Sequence, residues 1–249
     1  MRRTLIAGNW KMNGSRAALA ELAGMAAAAA EHPGVDVVVC PPATLIAAAR
    51  DARSDVIIGA QDCHAAAAGP YTGCLSAAML IEAGATLSIV GHSERRTGQH
   101  ETDAEVRAKA IAVMAAGMTA IVCVGETEAQ RDAGDAMPVV AAQVAGSVPD
   151  DATADRLVVA YEPLWAIGTG RVPSIADVTE MHAMIRTRLS AKLGAETAAA
   201  VRILYGGSMN AGNAAALLAV ADVDGGLVGG ASLTADAFVP IIRAAAALG

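Results

Sequence analysis

The sequence predicts an α/β protein of the (β/α)8 barrel class, with a single domain over residues 1–249. Short runs rich in β-branched residues alternate with longer alanine-rich stretches, a pattern typical of parallel strands joined by crossover helices. About eight such strand–helix units fit into a chain of this length, as a (β/α)8 barrel requires. No linker or shift in composition divides the chain, and hydrophobic residues make up 54% of it, which is ample for one large core.

The predicted strands are short and apolar. In chain order they cover residues 4–7, 35–40, 55–59, 86–90, 119–124, 157–160, 201–205 and 223–228. Clear stretches of helical length between them cover residues 15–31, 103–116 and 174–193. An open doubly wound sheet is the alternative arrangement, but no G-x-G-x-x-G motif follows an early strand here.

The composition argues against several classes of function. The formal net charge is −7, whereas a nucleic-acid-binding surface is normally basic. The cysteines show no C-x-x-C spacing, so we expect buried thiols in a reducing compartment, without disulfides or a structural zinc site. The first residues lack an apolar leader region, and no apolar run of membrane-spanning length is free of polar breaks. We therefore expect a cytoplasmic protein without nucleic-acid or membrane partners.

In a barrel of this class the chemistry lies where strands end, on the loops that lead into helices. Polar and glycine-rich clusters occur at these positions in the sequence. They are residues 8–11 after the first strand, 91–94 after the fourth, Glu162 at the end of the sixth, 206–208 after the seventh and 229–230 after the eighth.

The first two clusters contain a lysine and a histidine. Lys11, with Asn9 beside it, can point its ammonium group into a site at the mouth of the barrel, although a solvated loop lysine is the alternative. His92 precedes a predicted helix start at residues 93–94. Backbone N–H groups and the helix dipole disfavour the imidazolium there, so we expect a neutral ring that donates a hydrogen bond. A buried structural histidine is the alternative.

The later clusters contain a carboxylate and two glycine pairs. Glu162 ends an apolar strand and is a candidate general base, and an ion pair with Lys11 or an arginine is the alternative. The glycines at 206–207 and at 229–230 offer backbone N–H groups with no side chain in the way. Two such turns after the last two strands indicate a phosphate cradle, although tight turns also explain glycine pairs.

The stretch YEPLWAIGTGR, residues 161–171, combines a carboxylate, a bulky ring and a glycine run. Pro163 stiffens one end, whereas the glycines of residues 168–170 can absorb large changes in φ and ψ. The apolar centre around Trp165 has little reason to face water. We interpret this stretch as a lid over the candidate base.

Together these motifs resemble the triosephosphate isomerase family. The resemblance runs from Gly8 to near the C-terminus, and its motifs agree in order and spacing. They are GNWKMN (8–13), GAQD (59–62), TGCLSAAML (72–80), GHSERR (91–96), CVGE (123–126), AYEPLWAIGTGR (160–171), ILYGGSMN (203–210) and GLVGGASL (226–233).

The resemblance implies a TIM barrel that interconverts dihydroxyacetone phosphate and glyceraldehyde 3-phosphate through an enediolate, in glycolysis and gluconeogenesis. It implies that Glu162 moves the proton between the two carbons and that neutral His92 polarises the carbonyl, a pairing for which this enzyme is the standard example. Lys11 would offset negative charge with the help of Asn9, and no metal or cofactor would be needed. The implied phosphate-binding residues are Gly168, Ser208, Gly229 and Gly230.

The resemblance also implies a homodimer, in which the loop of residues 61–76 inserts into a partner subunit and brings Thr72 close to the partner's Asn9 and the partner's Lys11. Cys74 stands where family members often carry an acidic residue, so an ion pair with Arg95 across the interface would be missing here. Arg171 replaces a common lysine, and Leu164 replaces a frequent valine.

Two other functions stay open at the level of sequence. One is a related isomerase that acts on a four-carbon ketose phosphate, because the pocket volume cannot be read from the residues. The other is a non-catalytic barrel used as a binding scaffold, although a scaffold needs none of the four polar residues Asn9, Lys11, His92 and Glu162.

Overall fold

The computed structural model describes residues 2–53, 55–166 and 173–248. Eight parallel strands form a closed barrel in which each strand pairs with its sequence neighbours and the last pairs with the first. This arrangement confirms the predicted (β/α)8 barrel. The strands are β1 (Thr4–Asn9), β2 (Val35–Cys40), β3 (Ile57–Ala60), β4 (Leu87–Val90), β5 (Thr119–Val124), β6 (Leu157–Tyr161), β7 (Arg202–Tyr205) and β8 (Gly225–Val228).

Helices follow the strands and surround the barrel. The described α-helices are α1 (Leu22–Glu31), α2 (Ile46–Ala52), α3 (Ala77–Glu82), α4 (Ser93–Gly98), α5 (Asp103–Ala115), α6 (Glu128–Asp132), α7 (Ala136–Ser147), α8 (Ile175–Leu193), α9 (Ala195–Ala200), α10 (Ala214–Leu218) and α11 (Ala235–Ala246). Single 3-10 turns occupy Ala17–Glu21, Ala43–Leu45, Leu164–Ala166 and Gly230–Ser232. Within the described ranges, no helix is long and apolar enough to cross a membrane.

The core has two layers because successive strand residues point to opposite faces of the sheet. Alternate residues such as Leu5, Ile89 and Val158 fill the inside of the barrel. Their neighbours, such as Ile6 and Val159, pack outward against the helices. The inner layer closes the barrel below its mouth, so the polar side chains at the carboxyl ends of the strands stand on an apolar floor.

Some predicted boundaries differ from the observed ones. The third strand begins at Ile57 rather than at residue 55, since the Asp55 carboxylate is engaged by Arg53 on the surface. The predicted helix over residues 15–31 begins as the 3-10 turn Ala17–Glu21, where no side chain caps the first turn. The Glu21 carboxylate instead accepts from the backbone N–H of Ala235 at 2.7 Å and thereby supports the start of α11.

An ion-pair cluster lies at the amino-terminal ends of the strands, opposite the mouth. Arg2 contacts Asp222 at 3.0 Å and Asp224 at 2.7 Å. Arg186 from α8 contacts the same two carboxylates at 2.8 and 3.0 Å. Together with the pairing of β1 and β8, this cluster stabilises the seam between the first and the last strand, where the barrel closes.

The cysteine prediction is confirmed only in part. All four cysteines are free thiols, and Cys40, Cys63 and Cys123 are buried. Cys74 is exposed in the single chain, and its burial in a dimer interface stays a prediction. The exposure has a local reason: residues 65–75 form a loop that projects from the barrel and is largely exposed.

Candidate active site

A cavity of about 300 Å³ opens at the carboxyl ends of the strands. Gly168, one of the site residues expected from the sequence, lies outside the described residues. The lining residues are Asn9, Lys11, His92, Glu162, Gly206, Gly207, Ser208, Met209, Leu227, Gly229, Gly230 and Ala231.

Eight residues were expected from the sequence to have a catalytic or binding role, and seven of them line the cavity. They are Asn9, Lys11, His92, Glu162, Ser208, Gly229 and Gly230.

Glu162 follows β6 directly and is buried, with 2% of its surface exposed. Its backbone N–H donates to the carbonyl of Val124 at 2.8 Å, which continues the pairing of β5 and β6 beyond the strand ends. One carboxylate oxygen, Oε2, accepts from the backbone N–H of Ser93 at 2.9 Å. The other, Oε1, lies 2.8 Å from Nε2 of His92. Both partners stand at the start of α4, so the carboxylate is held against one wall of the cavity.

The hydrogen bonds around His92 assign its tautomer. Nδ1 accepts from the backbone N–H of Glu94 at 3.2 Å, so the ring proton is on Nε2 and is donated to Glu162. Burial lowers the pKa of His92, but the Glu162 carboxylate more than offsets this, and the pKa is raised above its ordinary value. Burial in turn raises the pKa of Glu162, while His92 and the Ser93 N–H lower it, with a lowered pKa as the result.

This raised pKa of His92 favours the imidazolium, whereas the sequence predicts a neutral ring. The start of α4 does supply the predicted backbone donor, since the Glu94 N–H donates to Nδ1 of His92. The contact with Glu162, 70 residues away along the chain, changes the balance. A local sequence pattern gives no sign of a contact at that separation.

Lys11 crosses the cavity mouth from β1. Its backbone has a φ of 53°, in the left-handed region that non-glycine residues rarely adopt. The Asn9 side chain supports this turn, because its Oδ1 accepts from the Lys11 N–H at 3.0 Å. The Lys11 Nζ contacts Glu94 Oε1 at 2.8 Å. The ammonium group is thus placed at the cavity by a strained turn and an acidic neighbour.

The two glycine turns form the opposite wall. At Gly206 a Cβ would lie 2.9 Å from Cγ of Glu162, so glycine leaves room for the carboxylate. Gly230 has open space where a Cβ would stand, and its neighbour Gly229 would meet only the end of Lys11. Backbone N–H groups in such turns are accessible to an anion. The Ser208 hydroxyl donates to the carbonyl of Ala166 at 2.9 Å and links this wall to the segment after Glu162.

A buried carboxylate that the sequence analysis did not single out lies behind the site. Glu126 is fully buried and accepts from the Trp165 Nε1 at 2.7 Å and the Tyr161 hydroxyl at 3.1 Å. Arg131 lies 3.4 Å from the same carboxylate oxygen and stacks 4.3 Å from the Trp165 ring centre. The final residue of the CVGE motif was the available signal. Glu126 fixes the turn Leu164–Ala166 at the start of the expected lid.

Comparisons with known proteins agree with one another. The family model described as triosephosphate isomerase matches residues 4–245. A triosephosphate isomerase of Ruegeria pomeroyi is 56% identical over 246 residues, covering 98% of each chain. One from Afipia carboxidovorans is 59% identical over 245 residues, covering 97% of each chain. The crystal structure of triosephosphate isomerase from Bartonella henselae superposes with a TM-score of 0.90 at 45% identity, covering 97% of this chain and 98% of that one.

Proposed function

The chain belongs to the triosephosphate isomerase family, and from this premise we propose how its residues divide the work of the reaction. It is an isomerase that interconverts dihydroxyacetone phosphate and glyceraldehyde 3-phosphate, a step of glycolysis. The reaction moves a proton between two adjacent carbons, so it needs a base, a group that stabilises the oxyanion and a site for the phosphate.

In this proposal Glu162 is the base. Its buried carboxylate takes a proton from the carbon next to the carbonyl and returns it to the neighbouring carbon. The carboxylate has a lowered pKa, so it is ionised and can accept a proton at neutral pH. The space beside it that the glycine at 206 leaves free supports movement of the carboxylate from the wall into the cavity.

His92 is the electrophile, and the observation that carries the proposal is its contact with Glu162 at 2.8 Å. In the structure the Nε2–H donates to this carboxylate. When the carboxylate turns to the substrate carbon, the Nε2–H becomes available to a substrate oxygen. The main group that raises the pKa of His92 has then moved away. Burial and Lys11 lower that pKa, and the remaining effect of Glu94, which raises it, is the smallest of these effects. The ring is therefore neutral when it polarises the carbonyl.

Lys11 and the glycine turns bind the charged parts of the substrate. The Lys11 ammonium group offsets negative charge on the phosphate and the enediolate, and Asn9 holds the turn that presents it. Ser208, Gly229 and Gly230 supply hydrogen-bond donors to the phosphate from the opposite wall. Gly168 is proposed as a further donor from the lid, and it lies outside the described residues.

The assembly proposed for the chain is a homodimer through the loop of residues 61–76. The side chains of Met12, Tyr71, Leu75 and Met79 are exposed at 97, 46, 36 and 53%. Exposed large apolar side chains such as these four are typical of a protein–protein interface. Arg95 already contacts Asp62 at 2.9 Å and Glu101 at 2.6 Å within the chain. The Arg95 side chain therefore does not need an acidic residue from a partner subunit, which explains how position 74 can carry a cysteine.

The proposed location of the protein is the cytoplasm.

A coupled assay tests the function. Purified protein is given glyceraldehyde 3-phosphate or a four-carbon ketose phosphate in parallel, and product formation is followed. We expect turnover of the three-carbon substrate with clearly higher kcat/KM. Preference for the four-carbon substrate would assign the related isomerase activity, and no turnover of either would indicate a binding scaffold.

A further inference from the structure

The end of β5 supports the proposed base from behind. The carbonyl of Val124 accepts from the Glu162 N–H at 2.8 Å, and the carbonyl of Glu126 accepts from the Leu164 N–H at 3.1 Å. We call residues 124–126 the β5 ledge. None of them lines the cavity of about 300 Å³, yet the backbone on both sides of Pro163 is bonded to them.

Gly125 is the tightest contact between the ledge and the base. A Cβ at this position would lie 1.8 Å from the Glu162 carbonyl oxygen and 2.7 Å from its carbonyl carbon. Only glycine allows the two backbones to approach so closely. A displacement of Gly125 therefore displaces the backbone of Glu162.

The Gln143 side chain from α7 holds Gly125 in place. Its Oε1 accepts from the Gly125 N–H at 2.7 Å, and its Nε2 donates to the Gly125 carbonyl at 2.9 Å. The pairing of β4 with β5 ends at Val90 and Val122, three residues before Gly125. The side-chain amide thus satisfies both backbone groups beyond the end of the neighbouring strand.

We propose that Gln143 is a positioning residue for the base Glu162 and acts on it through Gly125. The inference rests on the proposed role of Glu162. Gln143 is not among the residues that line the cavity, so it affects the reaction only by fixing the ledge. Its loss should reduce kcat much more than substrate affinity, because a misplaced base slows the chemical step while the phosphate cradle stays intact.

The first experiment compares two α7 variants. Gln143→Met keeps the side-chain length and removes both hydrogen bonds. Val140→Ala removes buried methyl groups one turn away and controls for general destabilisation. At a temperature where both are folded, we expect kcat of Gln143→Met to fall about tenfold, with KM and inhibition by inorganic phosphate changed by less than about twofold. A kcat within about twofold of that of Val140→Ala overturns the proposal.

The second experiment uses Gln143→Glu. A carboxylate can accept from the Gly125 N–H but repels the Gly125 carbonyl, whereas a protonated carboxyl reproduces both bonds. We expect the ratio of its kcat to that of wild type to rise as the pH falls. A ratio that does not change with pH contradicts the proposal, and this arm remains informative if Gln143→Met fails to fold.

Glu162→Asp, measured in parallel, separates the inference from the function on which it rests. If Glu162→Asp keeps wild-type kcat, the base assignment fails. If Glu162→Asp is impaired and the Gln143 variants behave like wild type, only the positioning role fails.

Discussion

Nε2 of His92 donates to Oε1 of Glu162 across 2.8 Å in a buried contact at the barrel mouth. The two residues come from the ends of β4 and β6, and each shifts the other's pKa. The proposed reaction separates them, because the carboxylate must turn from the ring to a substrate carbon. The properties of their contact can be measured directly.

The first prediction concerns the titration of His92. In Glu162→Gln, the largest remaining influence on the ring is burial, which lowers its pKa. We expect the pKa of His92 to lie above its ordinary value in the ligand-free protein and to fall in this variant. Nitrogen-detected NMR checks both the pKa and the proton on Nε2. An unchanged titration in the variant would show that Glu162 does not control the ring.

The same pair makes stability depend on pH. The raised pKa of His92 contributes stability that is complete below its unfolded pKa and is lost as the pH rises through the folded value. The lowered pKa of Glu162 contributes stability above its unfolded pKa that is lost as the pH falls through the folded value. We expect Glu162→Gln to lose both contributions. Denaturant unfolding of the two proteins across pH measures the difference, which should be largest between the unfolded pKa of Glu162 and the unfolded pKa of His92.

The next prediction concerns the reach of the base. Glu162→Asp keeps the charge and withdraws the carboxylate by one methylene. Because a misplacement of about 1 Å can cost on the order of 10²-fold, we expect kcat to fall at least that much. Affinity for inorganic phosphate should change little, since the glycine turns are intact. Steady-state kinetics with phosphate inhibition make the test, and near wild-type kcat would remove Glu162 from the role of base.

Assembly is tested through Cys74, the exposed thiol among four cysteines. Sedimentation should show a dimer at micromolar protein. A bulky thiol reagent should label Cys74, dissociate the dimer and abolish activity together. The matched control is Cys74→Ser. This variant keeps only the three buried thiols, so the reagent should leave both its dimer and its activity unchanged. A fully active monomer after labelling would rule out the proposed dependence of activity on this interface.

The lid interpretation predicts a change in products. The enediolate phosphate can eliminate phosphate when it is exposed, so a cover over it should suppress methylglyoxal formation. Deleting residues 166–169 should leave the barrel folded, slow isomerisation steeply and raise methylglyoxal released per turnover. A deletion variant that isomerises slowly without more methylglyoxal would show that the segment serves binding alone.

Local patterns predicted the barrel because strand period, apolar runs and glycine turns are short-range properties. They also indicated that Lys11, His92 and the glycine turns lie at the barrel mouth, where all of them line the cavity. Local patterns did not predict the properties that depend on contacts between residues far apart in the sequence. The influence of Glu162 on His92 and the support of Gly125 by Gln143 both arise only when the strands close side by side.

The seam between β1 and β8 has a consequence for synthesis on the ribosome. Leu5 pairs with Gly225 and Gly8 with Val228. One edge of β1, the first strand to be made, therefore stays unpaired until β8, the last strand, has been made. Until residues 225–228 leave the ribosome, β1 has an unpaired edge, and Asp222 and Asp224 are not yet there to bind Arg2. Open edges are where chains associate wrongly. During most of translation the nascent chain therefore carries an unpaired edge at β1, where another chain could pair wrongly.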